Sequence, residues 1–354
     1  MIRLSLRQFR AQAWVAIGLL LLTAALLAST GPHLAHLYGA YAKAQAACAA
    51  SSDCGDVNIS IGKLDELLKL IGTALVAVPG LIGAFWGAPL ISRELEHGTH
   101  RLAWTQSVSR TRWLAVKLAL VGAASVAATG LLSLMVTWWS SPMDHADMNR
   151  FGAGLFGERN LTPLGYAAFG FALGVTAGLL IRRTLPAMAT TLAVFLGGRL
   201  TFTYFVRQHL LAPAHLTTPL GSVVQGFGQD NNGPPNLFAG ANLPGAWVYS
   251  TRIVDGSGRG LTSQVVASSC PALLNPPPGN PGPSAGRAVA VPDGDARDAL
   301  QACVTKLSSA YHGVVTYQPS SRYWILQWYE TGIFVAAAAG LAAVCFYVIR
   351  HRAG

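Results

Sequence analysis

Long apolar stretches alternate with polar segments along the chain, and all but one of these polar segments are short. Several stretches run for about 19–26 residues without a charged side chain, and a helix of that length crosses the hydrocarbon core of a bilayer. The pattern places transmembrane helices at residues 13–30, 70–91, 113–139, 162–181, 184–205 and 324–349. It therefore predicts an all-α polytopic membrane protein with six transmembrane helices.

The polar segments define the remaining parts of the chain. In residues 1–12, three arginines share one helical face and three apolar residues share another, which predicts an interfacial amphipathic helix. A signal peptide is the alternative for this end, but the apolar run is long for one and more spans follow. Residues 206–323 form a polar insert rich in turn-forming residues, which predicts a large, loop-rich segment. A short tail follows at residues 350–354.

The distribution of charge predicts the orientation in the membrane. With six spans, one side holds residues 1–12, 92–117, 182–183 and the tail, with twelve basic and two acidic residues. The short segments opposite, 31–69 and 140–162, carry five basic and seven acidic residues. Because basic residues favour cytoplasmic loops, both termini are predicted to be cytoplasmic and the insert extracellular. Orientation also accounts for the net charge of +10 without any nucleic-acid partner.

Four cysteines fall in segments predicted to be extracellular. Cys48 and Cys54 share one polar segment, and Cys270 and Cys303 share the insert, whereas Cys345 lies within an apolar span. An oxidising exterior allows disulfides to persist, so two local disulfides are predicted.

Two charged residues lie within the predicted spans. Arg199 and Glu330 each stand about six residues inside the outer end of a span, which places both roughly 9 Å below the outer surface. Equal depth and opposite charge predict an intramembrane ion pair between two helices. The alternative is that each side chain extends separately to the membrane surface.

Small residues form a ridge on the fourth predicted span. Gly170, Gly174 and Gly178 recur every four residues, a spacing that lets two helices approach closely. The ridge predicts helix packing, either within one bundle or between two protomers.

The chain carries no recognisable catalytic motif. The one lysine that follows a glycine, Lys63, precedes leucine rather than the serine or threonine of a phosphate-binding loop, and no His-Glu-x-x-His sequence occurs. No catalytic residue, metal site or cofactor is therefore predicted on this chain, and it is not expected to be an enzyme by itself.

Residues 92–117 are the only long cationic segment between two spans. Their pattern resembles the loop between spans two and three of bacterial ATP-binding-cassette (ABC) exporter permeases: Glu94-x-Glu96-x-Gly98-Thr99, then Trp104-Thr105-Gln106-Ser107-Val108-Ser109-Arg110, then Lys117. Tyr317-Gln318-Pro319-Ser320-Ser321-Arg322-Tyr323-Trp324, with Gln327 and Glu330, is similar to the entry into the last span in the actinobacterial branch of that family. One departure is that Ser107 and Val108 stand where many members have proline before the Ser-Arg motif.

The resemblance implies a bacterial plasma-membrane exporter that works as an assembly. Two permease protomers, identical or different, would form the pathway, and a separate ABC ATPase subunit would bind ATP and Mg²⁺ and dock on residues 92–112. The residues implied for this coupling loop are Glu94, Glu96, Gly98, Thr99, Arg101, Trp104, Ser109, Arg110 and Arg112.

Physical chemistry gives these loop residues plausible roles. Glu94 and Glu96 can pair with cations on the ATPase, Trp104 can fill an apolar pocket, and Gly98 permits a sharp turn. The loop arginines can contact anionic headgroups or acids of the partner. The plainer alternative is a connecting loop whose cations only set the topology.

The sequence is also compatible with two other functional classes. The first is a membrane sensor that binds its ligand through residues 206–323, and the second is an immunity-type membrane protein that transports nothing. For an exporter, the absence of an ionisable cluster in the spans predicts a hydrophobic or amphipathic substrate, such as a drug, lipid or peptide.

Overall fold

The chain forms two compact units, which we call the helical unit and the insert unit. The helical unit comprises Met1–Leu211 and Ser321–Gly354, and the insert unit comprises Ala212–Ser320. The computed structural model describes residues 2–50, 75–97, 109–145, 150–152, 155–229, 234–273, 289–290 and 295–351.

The described α-helices and β-strands follow one another in a fixed order. They are α1 (Ile2–Ala50), α2 (Val78–Ile82), α3 (Ala88–Glu96), α4 (Arg110–His145), α5 (Thr162–Ile181), α6 (Thr184–Thr201), β1 (Ala214–Pro219), α7 (Leu220–Val223), β2 (Val224–Gln229), β3 (Pro235–Ala239), β4 (Trp247–Asp255), α8 (Ser263–Ser269), β5 (Val289–Ala290), α9 (Asp295–Leu307), β6 (Tyr311–Gln318) and α10 (Tyr323–His351). Two π-helical segments lie at Gly83–Gly87 and Phe202–Val206, and short 3-10 turns lie at Phe156–Glu158, Arg207–His209, Pro271–Leu273 and Ser320–Arg322.

Five helical stretches of the described chain are long and apolar enough to cross a membrane. They are Arg10–Tyr41, Arg110–Asp144, Thr162–Ile181, Thr184–His209 and Ser320–His351. A helical, multi-pass membrane protein is thereby confirmed, and α5 begins and ends at the predicted residues. The predicted second span is described from residue 75 onward and consists of α2, a π segment and α3, so the count of six spans stays a prediction.

Helix α1 continues through the position where the first span was predicted to end. Pro32 lies inside the helix, and residues 2–12 are its first turns, so the helix itself breaks at neither predicted boundary. Proline removes one backbone hydrogen bond, but packing by a neighbouring helix can maintain the helical path. Here α4 supplies that packing: the Trp139 Nε1 donates to Thr30 Oγ1 at 3.0 Å, and the Trp138 ring lies against Gly31.

Prolines in the predicted second span coincide with the starts of helical segments. Pro79 lies in the first turn of α2 and Pro89 in the first turn of α3, with the π segment between them. The first turn tolerates proline because its backbone N–H groups have no partner within the helix.

Helix α5 is the centre of the helical unit. It contacts α2, α3, α4, α6 and α10. Its glycine ridge lies directly against the backbone of the segment that contains α2 and α3: a Cβ added at Gly174 would stand 2.1 Å from the Gly83 carbonyl oxygen, and one added at Gly178 would stand 2.4 Å from that of Ala88. The ridge therefore packs within one chain, where side chains at these positions would separate the helices.

The insert unit has more regular structure than the sequence predicted. It contains two three-stranded antiparallel sheets, ordered β1-β6-β4 and β3-β2-β5. The prediction of an all-α chain with a loop-rich insert is therefore wrong for this unit. Its strands are rich in β-branched and aromatic residues, as in Trp247–Asp255, and the many prolines elsewhere in the insert obscured that signal.

A disulfide and an apolar core hold the insert unit together. The predicted Cys270–Cys303 disulfide is present and joins the end of α8 to α9. It adjoins a core that includes Leu220, Phe227 and Val315. The other predicted disulfide cannot be compared, because Cys54 and the side chain of Cys48 lie outside the described residues.

Candidate functional site

The candidate coupling loop is described at its two ends. Helix α3 enters the loop with Glu94 and Glu96, and α4 leaves it with Ser109, Arg110 and Arg112. The central predicted loop residues lie outside the described part of the chain: Gly98, Thr99, Arg101 and Trp104. We call this end of the helical unit, where α3 ends and α4 and α6 begin, the loop end.

The start of α4 is fixed by a local cap. The Ser109 Oγ accepts a hydrogen bond from the Arg112 backbone N–H at 3.3 Å, the geometry expected of a serine at an N-cap. The serine of the Ser-Arg motif therefore determines where the loop stops and the helix begins.

Glu94 joins α3 to α4 through a largely buried ion pair. Its carboxylate accepts a hydrogen bond from Lys117 Nζ, and the two side chains are 17% and 5% exposed. Lys117 also lies 3.4 Å from the Leu90 carbonyl oxygen, to which it donates, and over the Trp113 ring. Lys117 thus connects both the first and the last turn of α3 to α4.

Glu96 joins α3 to the start of α6. Its Oε2 accepts hydrogen bonds from the Thr184 backbone N–H at 3.1 Å and from the Thr184 hydroxyl at 2.7 Å. The first N–H groups of a helix lack intrahelical partners, and Arg183, the N-cap residue, provides no side-chain bond. Glu96 therefore caps α6 from another helix, and the Thr184 hydroxyl and backbone bonds lower the pKa of its carboxyl.

These contacts change the roles predicted for the two loop carboxylates. Both were expected to pair with cations on a partner protein, but within the described chain Glu94 binds Lys117 and Glu96 binds Thr184. They fasten the loop end to two other helices.

At the opposite end of the helical unit, which we call the far end, the predicted Arg199–Glu330 ion pair is wrong. Glu330 instead pairs with Arg207, whose Nε and Nη2 donate to its two oxygens at 2.8 and 2.9 Å. Arg199 pairs with Glu158, and its Nη1 donates to the Val76 carbonyl oxygen at 2.8 Å.

The π segment explains why Arg207 shares the interior with Arg199. In a regular α-helix, eight residues correspond to about 80° of rotation away from the starting face. The π segment at Phe202–Val206 adds one residue per turn, which makes the spacing equivalent to about seven and returns Arg207 to the same face. The sequence prediction ended this span at residue 205 and so left Arg207 outside it.

Aromatic residues connect the two far-end ion pairs into one cluster. The Tyr166 hydroxyl donates to Glu330, while the Arg199 guanidinium lies 4.1 Å from the Tyr166 ring centroid. The Arg207 guanidinium lies 4.4 Å from the ring of Phe156. All four charged side chains are nearly inaccessible to solvent, and two positive charges balance two negative charges. This neutralisation makes the burial tolerable.

Gln327 of α10 holds the turn between α4 and α5. Its side-chain carbonyl accepts hydrogen bonds from the backbone N–H groups of Leu161 and Thr162 at 3.2 and 3.0 Å, and its amide donates to the Phe156 carbonyl at 2.9 Å. It therefore caps α5, and together with Arg199 it fixes residues 156–162 against the bundle.

A comparison with protein families identifies the chain. The family model described as ABC-2 membrane transporter related matches residues 17–207, more than half of the sequence. The chain belongs to the ABC-2 membrane transporter related family. A comparison with curated proteins and one with solved structures found no match.

Membership of this family makes the chain a membrane permease component of an ABC transporter. The matched range contains the two carboxylates of the loop end together with Glu158, Arg199 and Arg207 of the far end. It stops before the insert unit, so Glu330 and Gln327 of this ABC-2 permease lie beyond it.

Proposed function

We propose that this permease is an exporter subunit whose movement is driven by a separate ABC ATPase docked on residues 92–112. The observation that carries the proposal is the fastening of the loop end: Glu94 binds Lys117 on α4, and Glu96 binds Thr184 on α6. A force applied to the loop would therefore reach three helices at once.

A fourth helix is connected to the loop through close backbone packing. The segment that contains α2 and α3 lies against α5 so tightly that a Cβ at Gly87 would stand 2.6 Å from the Phe171 carbonyl oxygen. Two backbones in such close contact cannot be pressed nearer to each other, because protein interiors have little free volume. Displacement of α3 is therefore expected to move α5 as well.

Because Glu94 and Glu96 are engaged inside the chain, we propose that other loop residues make the main contact with the ATPase. The best candidates are Trp104, as an apolar anchor, and Arg101 and Arg110, as partners for acids. ATP and Mg²⁺ belong to that partner, and a second permease protomer completes the pathway.

The buried charges support a substrate that carries no simple ionic charge. The far-end guanidiniums and carboxylates satisfy one another, so they present no net charge to an ion in transit. We therefore propose a hydrophobic or amphipathic substrate exported across the bacterial plasma membrane, with both chain termini in the cytoplasm.

The docking proposal is tested by co-purification of an affinity-tagged permease with a co-expressed candidate ABC ATPase. Trp104→Ala should weaken recovery of the ATPase about 30-fold if this residue is an interface hot spot. The matched control is Trp328→Ala, which removes an indole that is 63% exposed on α10, near the end of that helix opposite the loop. Recovery and ATP-dependent dye efflux equal to wild type in the Trp104 variant would overturn the docking assignment.

A further inference from the structure

A groove with two arginines opens between α4 and α10 at the loop end. It has a volume of about 390 Å³ and is lined by Thr111, Arg112, Ala115, Phe346 and Arg350. Arg112 lies in the first turn of α4 and Arg350 in the last turn of α10, so the groove lies where two membrane-spanning helices reach the same surface.

The two guanidiniums lack an acidic partner within the described chain. In the parts of the sequence predicted to share this surface, the only acids are Glu94 and Glu96, and these bind Lys117 and Thr184. Residues 98–108 and 352–354, which are the neighbours in sequence of α4 and α10, contain no aspartate or glutamate. Both arginine side chains are exposed, so an anion from outside the chain can reach them.

The remaining lining favours a lipid over a soluble anion. Ala115 and Phe346 belong to helical stretches that are apolar enough to cross the membrane, and both form part of the groove. Ala119, one turn further along α4 on the same face as Ala115, is also exposed, which extends the apolar path toward the membrane interior. A free phosphate gains nothing from contact with apolar side chains, whereas the acyl chain of a lipid packs against them.

We propose that this groove binds an anionic phospholipid. The headgroup phosphate lies between Arg112 and Arg350, each of which can donate to its oxygens, and one acyl chain follows Ala115 and Phe346. Arg112 is also the last residue of the proposed docking range, whereas Arg350 lies on another helix, so lipid binding has to be measured separately from ATPase docking.

The test measures binding of phosphatidylglycerol to the purified full-length permease in neutral detergent, by native mass spectrometry. The double variant Arg112→Ala/Arg350→Ala should bind this lipid about 30-fold more weakly than wild type. The matched control is Arg182→Ala/Arg183→Ala, which removes two exposed arginines from the same end of the helical unit but outside the groove. It should retain the wild-type affinity.

A second variant separates a built site from general attraction to charge. Ala115→Trp leaves both arginines in place but fills the groove, so it should also abolish retention of phosphatidylglycerol. Phosphatidylcholine should bind weakly to every form, and inorganic phosphate in excess should not displace the lipid.

Three results would overturn the proposal. The first is equal loss of lipid from the groove and control double variants, and the second is undiminished binding by Ala115→Trp. The third is loss of ATPase co-purification from Arg112→Ala/Arg350→Ala with lipid retention unchanged, which would assign the groove to the protein partner. Failure of the docking test at Trp104 would leave all of these measurements interpretable.

Discussion

Replacing Arg207 with methionine should be among the most destabilising single changes in the helical unit. The substitution leaves Glu330, whose side chain is 0% exposed, buried without its charged partner. Removing one member of a buried ion pair costs about 3–5 kcal/mol, because the remaining charge keeps its desolvation penalty. Glu330→Met should cost a similar amount for the same reason.

The double variant Arg207→Met/Glu330→Met should recover most of this loss. Apolar replacement of a whole buried pair is often neutral or stabilising, so the two single costs should not add. The expected coupling energy is at least about 3 kcal/mol. The assay is reversible unfolding of the purified permease by titration with a denaturing detergent, followed by tryptophan fluorescence.

A second cycle decides between the two possible pairings at the far end. Arg199 contacts Glu158, not Glu330, so the cycle of Arg199→Met with Glu330→Met should show a smaller coupling than the cycle with Arg207. A larger coupling for Arg199 with Glu330 would refute the assignment of partners drawn from the structure. Tyr166→Phe provides a milder probe, since it removes one hydrogen bond to a carboxylate, which is worth about 1.5–3 kcal/mol.

Three further predictions concern single contacts. Thr184→Val removes the hydroxyl that donates to Glu96, so it should lower the amount of substrate transported per ATP hydrolysed several-fold without reducing ATPase co-purification. Thr190→Val is the control, because the Thr190 hydroxyl bonds within its own helix, and it should leave this ratio unchanged. Gly174→Ala forces a methyl group against a backbone oxygen and should lower the free energy of unfolding in detergent by about 1–3 kcal/mol. Gly197→Ala is the control, because open space surrounds Gly197, and it should be tolerated. Cys303→Ser opens a disulfide between residues separated by 33 positions and should destabilise the insert unit by about 4 kcal/mol, seen as faster proteolysis of that unit.

The spans could be predicted from sequence because the bilayer imposes a strong rule. A backbone in hydrocarbon must satisfy its own hydrogen bonds, so long charge-free runs become helices whatever their neighbours are. Helix α5 accordingly begins and ends at the predicted residues, Thr162 and Ile181. The rule also predicts which segments lie in the membrane without information about packing.

Choice of partner among buried charges could not be predicted in the same way. The sequence shows how far along a helix a residue lies, but not which face its side chain is on. That face depends on the number of residues per turn, which the π segment before Arg207 changes. The path through Pro32 likewise depends on contacts from α4, more than a hundred residues away. Such contacts are tertiary, so no local pattern contains them.

Roles assigned to Glu94 and Glu96 show the same limit at the loop end. Their positions in the motif were recognisable, yet the sequence does not show that Lys117 and Thr184 lie within reach of them. Lys117 was itself part of the recognised pattern, and its spacing from Glu94 is explained by their ion pair. In this chain the motif therefore includes a contact inside the permease.

The two ends of the helical unit differ in how firmly they are joined, and this difference bears on the proposed mechanism. Far-end contacts are ion pairs removed from solvent, with Arg207 and Glu330 at most 1% exposed, where the loss of one partner is costly. The contact of Glu96 with Thr184 at the loop end is exposed to solvent, and screening by water weakens such bonds. The other contact of the loop end, between Glu94 and Lys117, is largely buried, so a force from a docked ATPase would act first on the exposed contact of Glu96 with Thr184. We therefore expect α3 and α6 to shift at the loop end while residues 156–162 stay fixed at the far end as the pivot.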